Sequence, residues 1–496
     1  MSAAQPVATY DVVVVGGGVA GLTAACSAAE QGARVALLDR ATEAETGGNT
    51  RYTEAFLRMR SLEETADGLE DTLVEDFMGH PDPSVVHEAA AAPERRSGLY
   101  RALHLVDPDY VAELAAHAPA TLAWMSGHGM RFDALPTPFL TTSTTRMAPV
   151  GGGLAIVETM GRAARGLGVT FHFETTAREL LTDADGAVVG VLARTADGPV
   201  EVRGRVVLAS GGYQGNAELM ARYHGDKALT TRPVARGGGY NKGEGLEMAL
   251  ALGAATAGNF SLFHAEPVDP RSGEPEAAIF CFPHGVLVNA AGERFVDEAR
   301  GPVDAWYERT TRDIQAQERG VAWVVLDQQG LAVPNLRAGI RTDQPPVRGA
   351  TIAELATRIG VPPEALARTV AAYNTACPDP AGFDHHAPDG LATTGLAPAK
   401  SNWARPIAEG PFEAYPVMAA NVFTFGGLKT TPAAEVVDRD GRPITGLWAA
   451  GELTGLYYSN YTGSTSVLRG ATFGRIAGRE AALAGLPAGL PAGASA

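Results

Sequence analysis

The chain is poor in the residues that build covalent or metal-bound frameworks. Its 496 residues include only three cysteines, Cys26, Cys281 and Cys377, widely spaced. That spacing excludes a disulfide framework, a CxxC redox pair, a cysteine-ligated iron–sulfur cluster and a CxxCH haem site. Positive charge is also in deficit: 40 Lys+Arg stand against 56 Asp+Glu, a net charge of −16. Such a balance argues against non-specific binding of nucleic acid or of an anionic membrane surface. No basic segment followed by an apolar one opens the sequence, so no secretory leader is expected and a cytoplasmic location is. His385 and His386 are adjacent, but no third ligand has a sensible spacing and Pro388 follows closely, so no metal site is expected.

Long apolar runs are nearly absent too. One uncharged stretch, 12–29, has about the minimum length of a transmembrane helix. It consists of four valines, three glycines and then small residues in a helical pattern. That order predicts a strand, a tight turn and a helix, with no membrane span. Glycine, by contrast, is abundant: 59 residues, well above an average near 7%.

The coarse pattern is α/β. A strand at 12–15, a helix at 21–31 and a strand at 34–38 form one βαβ unit. Residues 61–150 read as a mainly helical insertion, with turns at Pro81-Asp82-Pro83 and 136–138. The αβ alternation resumes with a helix at 157–167 and a strand at 169–173. A hairpin over 188–193 and 200–202 follows, then a core strand at 206–209 and a helix at 244–252. From about 261 to 410 the spacing becomes irregular and richer in Pro, His and Arg, which predicts an inserted second domain. A strand at 446–450 and a helix at 467–483 close the fold, and the tail 486–496 is low in complexity. The domains expected are therefore 1–260 with 411–496, and 261–410.

Gly16-Gly17-Gly18-Val19-Ala20-Gly21 fits G-x-G-x-x-G between the first strand and helix, where glycines admit a pyrophosphate to the helix N-terminus. Asp39 closes the second strand, where an acidic residue meets the adenosine ribose. Three further segments favour FAD over NAD(P). Gly47-Gly48-Asn49-Thr50 follows within a few residues and can offer amides and a hydroxyl to the flavin end. The run 206–212, VVLASGG, ends a strand in a glycine turn. The run 446–452, GLWAAGE, repeats that form and places Glu452 to bind ribityl hydroxyls. A nucleotide fold assembled from segments this far apart is a flavoprotein trait.

In this order, the segments resemble the fumarate reductase/succinate dehydrogenase flavoprotein family over nearly the whole chain. Gly243-Glu244-Gly245 and Gly292-Glu293-Arg294-Phe295-Val296-Asp297-Glu298 match it as well, the latter being the family's capping-domain signature. The resemblance implies a Rossmann-like FAD-binding domain assembled from discontinuous segments, with an inserted α+β capping domain and the substrate between cap and flavin. It implies non-covalent FAD, since no histidine directly precedes the Gly47 turn. The residues assigned to FAD are Gly16, Gly18, Val19, Ala20, Gly21, Asp39, Arg40, Gly47, Gly48, Asn49, Thr50, Ala177, Ala209, Ser210, Gly211, Asn216, Glu452, Ser466 and Val467.

The fumarate-binding constellation is largely replaced. The family's proton-donating arginine position holds Pro302, its substrate histidine position Phe423 and its clamping arginine position Tyr461, whereas His264 matches a substrate-contacting histidine. Asn460-Tyr461-Thr462-Gly463 resembles a segment of tricarballylate dehydrogenases and is related to one of 3-ketosteroid Δ1-dehydrogenases. The 47–53 and 57–59 segments look like the tricarballylate branch. The expected activity is hydride transfer between flavin N5 and substrate carbon, forming or reducing a C=C bond α,β to a carboxylate or ketone. A tricarballylate-like polycarboxylate is favoured, with a ketosteroid-type or cyclic ketone as the alternative. Remoter alternatives are an amine or amino-acid oxidase and a non-catalytic FAD-binding protein.

Such chemistry needs a donor for enolate charge, for which Tyr461 is suited, and a base for the α-proton. His264, Arg300, Tyr307 and His284 are candidates for the base. The catalytic assignment is Tyr461, His264 in substrate handling, and Arg300 in carboxylate binding or proton transfer. Each has a structural alternative: packing on the flavin for Tyr461, a satisfied core histidine for His264, a cap-hinge ion pair for Arg300. Arg146 either reaches the pocket or lies in a solvated loop. The electron-transfer partner is left open between a quinone, a protein and oxygen.

Overall fold

In a computed structural model, residues 5–66, 69, 82–89, 91–98, 100, 103, 105–135 and 146–484 are described. Pro81, the turn at 136–138, the polar run 141–145 and the tail 486–496 lie outside them. The β-branched run at 12–15 ends the strand β1, Gln5–Val15, and its valines are buried. β1 pairs in parallel with β2, Val35–Leu38, on one side and with Gly198–Leu208 on the other. Between β1 and β2 runs the helix α1, Val19–Glu30. The uncharged stretch is thus strand, turn and helix, and no helix among the described residues is long and apolar enough to cross a membrane.

The first sheet continues through Pro443–Ala449 and Glu435–Val437 beyond Gly198–Leu208, and through Thr170–His172 beyond β2. Strands hundreds of residues apart are therefore neighbours, as a discontinuous cofactor domain requires. The expected hairpin is present as Val188–Thr195 against Gly198–Leu208. Its second strand and the separately expected core strand at 206–209 are one element. Gly204 explains the continuity: at φ +153° it crosses a bulge in β1, where a Cβ would lie 2.8 Å from the Tyr10 carbonyl oxygen. The strand bends there instead of ending.

The C-terminal helix, Ser466–Leu483, packs on α1 almost backbone to backbone. A Cβ on Gly474 would stand 2.3 Å from the Ala20 carbonyl oxygen, and one on Gly478 2.0 Å from that of Ala24. Contacts advance in the same sense along both helices, so the two run parallel.

The second sheet is the cap. Strands Phe263–Val268, Phe412–Thr424, Val321–Leu326 and Val286–Val288 follow one another antiparallel, and helices Val303–Gln315, Ile352–Ile359 and Pro363–Ala376 belong to the same segment. Its pairing reaches past 261–410 on both sides, because Thr231–Pro233 and the whole of Phe412–Thr424 join it. Phe412–Thr424 is buried along nearly its full length on both faces, so it shows none of the alternation that marks a half-exposed strand. Within 61–150, the described residues form helices Pro83–Ala89 and Pro108–Gly127 and a two-stranded ribbon, Phe132–Leu135 with Arg146–Pro149.

Because the α1 contact leaves no space for a side chain, Gly474→Val is expected to cost about 2–3 kcal/mol through overpacking. A lowered thermal midpoint relative to wild type is the measurement; an unchanged midpoint would show that the two helices separate without penalty.

Candidate active site

The turn after β1 opens a cleft of about 1310 Å³. Gly16 has φ +113°, and a Cβ there would be 2.3 Å from the Ala209 carbonyl oxygen. On Gly17 it would meet the Asp39 carboxylate at 2.3 Å. Gly18 caps α1 without a side chain, while the Val19 amide donates to Thr50 Oγ1 at 3.1 Å. The positive end of a helix thus faces the cleft with little side-chain cover, a setting suited to a pyrophosphate. Asp39 accepts from the Ala41 amide at 3.0 Å and the Thr46 hydroxyl at 2.5 Å, and burial raises its pKa. Glu452, pushed up to about 7 by burial, accepts from the Thr424 amide and Asn241 Nδ2, each at 3.0 Å. It therefore ties the cap strand's end to the cofactor domain.

All residues assigned to FAD line this cleft except Gly21 and Asn216. Gly21 supports the turn from below, since a Cβ would sit 1.8 Å from the Gly16 carbonyl oxygen. Asn216 caps the helix Ala217–His224, accepting from the Glu218 and Leu219 amides and donating to the Lys242 carbonyl oxygen at 2.8 Å. An asparagine before a helix reads equally well as a cap or a ligand, and here its bonds go to the cap. Thr175, Asn241, Met248, Phe423 and Arg469 also line the cleft and were not anticipated as its walls.

A second cavity, of about 670 Å³, shares Thr53, Glu276, Val422, Ser466 and Val467 with the first. One helix supplies much of its far wall. In Val303–Gln315, Asp304, Tyr307 and Glu308 are spaced i, i+3, i+4 and so share a face. Asp304 pairs with Arg146 at 2.9 Å, Tyr307 Oη lies 2.6 Å from His264 Nε2, and Glu308 accepts from the Tyr461 amide at 3.0 Å. The His264 ring lies 4.3 Å from that of Tyr461 and 5.0 Å from that of Phe423. Tyr461 Oη accepts from the Thr465 and Ser466 amides at 3.1 and 3.3 Å and lies 3.1 Å from Ser466 Oγ.

Burial, with Arg312 adding to it, holds the His264 pKa well below the usual imidazole range, so this histidine is neutral at pH 7. Burial also drives the Tyr307 phenol well above its ordinary value, with Glu266 adding to it. Opposite stand Arg341, paired with Glu54 at 2.9 Å, and two carboxyls that the sequence did not single out. Burial pushes Glu266 up to about 7 and Glu276 up to about 8. Of the expected catalytic residues, Tyr461 and His264 meet in this cavity, with Tyr307 beside them. Arg300 does not: it pairs with Asp313 at 3.1 Å on the outer side of the same helix. Arg146 does reach the cavity. His284 is buried within the cap against Trp403 and Phe383, away from this wall. Among the described residues, no group of His, Cys, Asp and Glu is arranged to hold a metal ion.

The chain belongs to the FAD binding domain family, whose model matches residues 11–468. It is 28% identical to vinyl phenol reductase of Lactiplantibacillus plantarum, over 96% of this chain and 96% of that protein. It is 29% identical to 4-oxocyclohexanecarboxylate 2-dehydrogenase of Sinomonas cyclohexanicum, over 96% of this chain and 93% of that one. Among solved structures, the open conformation of a flavocytochrome c3 fumarate reductase gives a TM-score of 0.73 at 25% identity, covering 96% of this chain and 79% of that chain. The 3-ketosteroid-Δ4-(5α)-dehydrogenase of Rhodococcus jostii RHA1 gives 0.69 at 25% identity, covering 97% and 98%. The family resemblance and the fold read from the sequence are thereby borne out. The chain is an FAD-dependent oxidoreductase acting on CH–CH or C=C bonds.

The glycine cradle fits an FAD, and Gly16 is constrained there both by space and by its backbone angle. Gly16→Ala adds both a clash and a left-handed φ, so FAD affinity should fall about tenfold to a hundredfold. Flavin absorbance per protein in the purified variant measures this; wild-type loading would contradict the placement of the turn.

Proposed function

We propose that the enzyme moves hydride between FAD and the β-carbon of an α,β-unsaturated ketone, or its saturated counterpart, held in the second cavity. The observation that carries this reading is the pairing of Tyr461 with the neutral His264–Tyr307 couple in the second cavity, which adjoins the cofactor cleft. FAD, when bound, supplies or accepts the hydride. Tyr461 Oη already receives two backbone amides, so its own proton, otherwise directed to Ser466 Oγ at 3.1 Å, turns to a substrate carbonyl oxygen, where it stabilises developing enolate charge. Tyr307 holds its proton firmly, and its Oη lies 2.6 Å from His264 Nε2. In the reductive direction Tyr307 gives a proton to the α-carbon, and the neutral His264, as its Nε2–H tautomer, steadies the phenolate left behind with a hydrogen bond until water returns the proton to Tyr307 as product leaves. Dehydrogenation runs the same steps backwards.

The polycarboxylate reading drawn from the tricarballylate resemblance has less support. A substrate with two or three carboxylates needs guanidiniums to meet them, and both arginines of the cavity are engaged by Asp304 and Glu54. Two relatives point the same way by name, one acting on a vinyl phenol and one on an oxocyclohexane acid. We further propose that FAD is bound without a covalent bond, since no His or Cys lines the cofactor cleft among the described residues. A cytoplasmic location, and a quinone, a redox protein or oxygen as electron partner, complete the proposal.

Photoreduced enzyme is expected to be reoxidised under anaerobic conditions by 2-cyclohexenone and not by fumarate; rapid reoxidation by fumarate alone would overturn the ketone assignment. Tyr461→Phe should lower kcat about 10²–10³-fold at unchanged flavin content, as loss of one oxyanion donor does. Acid precipitation should leave the yellow colour in the supernatant, whereas flavin in the pellet would disprove non-covalent binding.

A further inference from the structure

The ion balance of the second cavity is uneven. Its walls carry Arg146 and Arg341 against Glu54, Glu266, Glu276 and Asp304. Arg146 is matched by Asp304. Three carboxyls, those of Glu54, Glu266 and Glu276, then share the single guanidinium of Arg341. Thr53 hydrogen-bonds the Glu276 carboxyl, and Arg341 is the cation that acts on both Glu266 and Glu276. His264 contributes a further acceptor in need. It is 3% exposed, and with Nε2 engaged by Tyr307 its Nδ1 has no partner.

The two glutamates come from separate pieces of the cap. Glu266 lies on the strand Phe263–Val268, two residues after His264. Glu276 sits in the following loop with φ +49°, in the left-handed region that few side-chain-bearing residues adopt, and it lines both cavities. Both glutamates are half-buried, and carboxylates that share one guanidinium in a part-buried site disfavour each other's ionisation. Building such a pair into a substrate cavity makes sense when the ligand brings the missing charge.

We propose that the substrate carries a basic nitrogen, an ammonium, amidinium or imidazolium group, which docks between Glu266 and Glu276 while its carbonyl end meets Tyr461. This rests on the reading of the cavity as a substrate site and narrows the substrate to a cationic enone or ketone. The carboxyls' raised pKa values, with Glu54, Arg341 and Tyr307 as the other ionisable groups facing them, agree with a pair awaiting a cation. An approaching cation favours their ionised form, so affinity for it should rise from pH 6 to pH 9, where an alkylammonium still holds its charge below a pKa of about 10.4.

The test uses the FAD-loaded enzyme and three probes differing at one position: 5-(aminomethyl)cyclohex-2-enone, 5-methylcyclohex-2-enone and 5-oxocyclohex-3-ene-1-carboxylate. Dissociation constants come from the change in flavin absorbance. The aminomethyl probe should bind at least about tenfold tighter than the methyl probe, and the carboxylate probe weakest of the three. That margin should shrink to within about threefold in the Glu266→Gln/Glu276→Gln double variant. Equal binding of the aminomethyl and methyl probes, or tightest binding of the carboxylate, overturns the proposal in the wild-type enzyme alone, whether or not the variant folds. If the methyl probe is reduced but the amine margin is absent, the ketone reading stands and this inference fails. If the amine margin is present but no enone is turned over, the site binds a cation and the ketone reading fails.

Discussion

Everything at the two cavities hangs on one backbone-to-backbone contact, that between α1 and the C-terminal helix. The glycines of the second helix bring it within touching distance of the carbonyl oxygens of Ala20 and Ala24. Since the two helices run parallel, their N-termini emerge at the same level of the molecule. The α1 end faces the dinucleotide cleft through Gly18 and Val19, and the other end presents Ser466 and Val467 to both cavities. The amides of Thr465 and Ser466, at that second end, hold the Tyr461 phenol. One close packing therefore sets the phosphate-binding end and the carbonyl-binding end of the site against each other.

At Phe423 and Tyr461 the resemblance to fumarate reductases implies a histidine and an arginine, and rings stand there instead. Phe423, Tyr461 and Tyr307 surround His264 and remove water from it, which keeps the imidazole uncharged. Replacing charged clamps by rings thus does more than change shape. It leaves a site whose polar groups are a phenol pair, a neutral histidine, and four carboxyls against two guanidiniums. The global acidity of the chain and the local acidity of this cavity run in the same direction.

The cofactor site was legible because its signals are local. A turn of three glycines between a valine strand and a small-residue helix carries its geometry within a dozen residues, and Gly47-Gly48 and Glu452 sit in equally compact motifs. Asn216 and Arg300 read as plausible ligands because residue type alone does not reveal a helix cap or an outward-facing ion pair. Arg146, Arg341, Glu266 and Glu276 were hidden or undervalued for a different reason. Their importance lies in a charge balance struck across segments far apart in the chain, which no spacing records. The strand Phe412–Thr424 escaped because burial on both faces erases periodicity.

That strand has a consequence for how the family diversifies. It is paired into the cap sheet from end to end, yet Val422 and Phe423 form part of the cofactor cleft and the Thr424 amide anchors Glu452. The cap is therefore spliced into the flavin's surroundings by a continuous piece of chain. A recombination event that exchanged the segment 261–410 alone would leave the incoming sheet without its central partner. One that carried the strand along would import a new flank for the isoalloxazine. The strand that completes the cap sheet and the strand that flanks the cofactor cleft are one and the same.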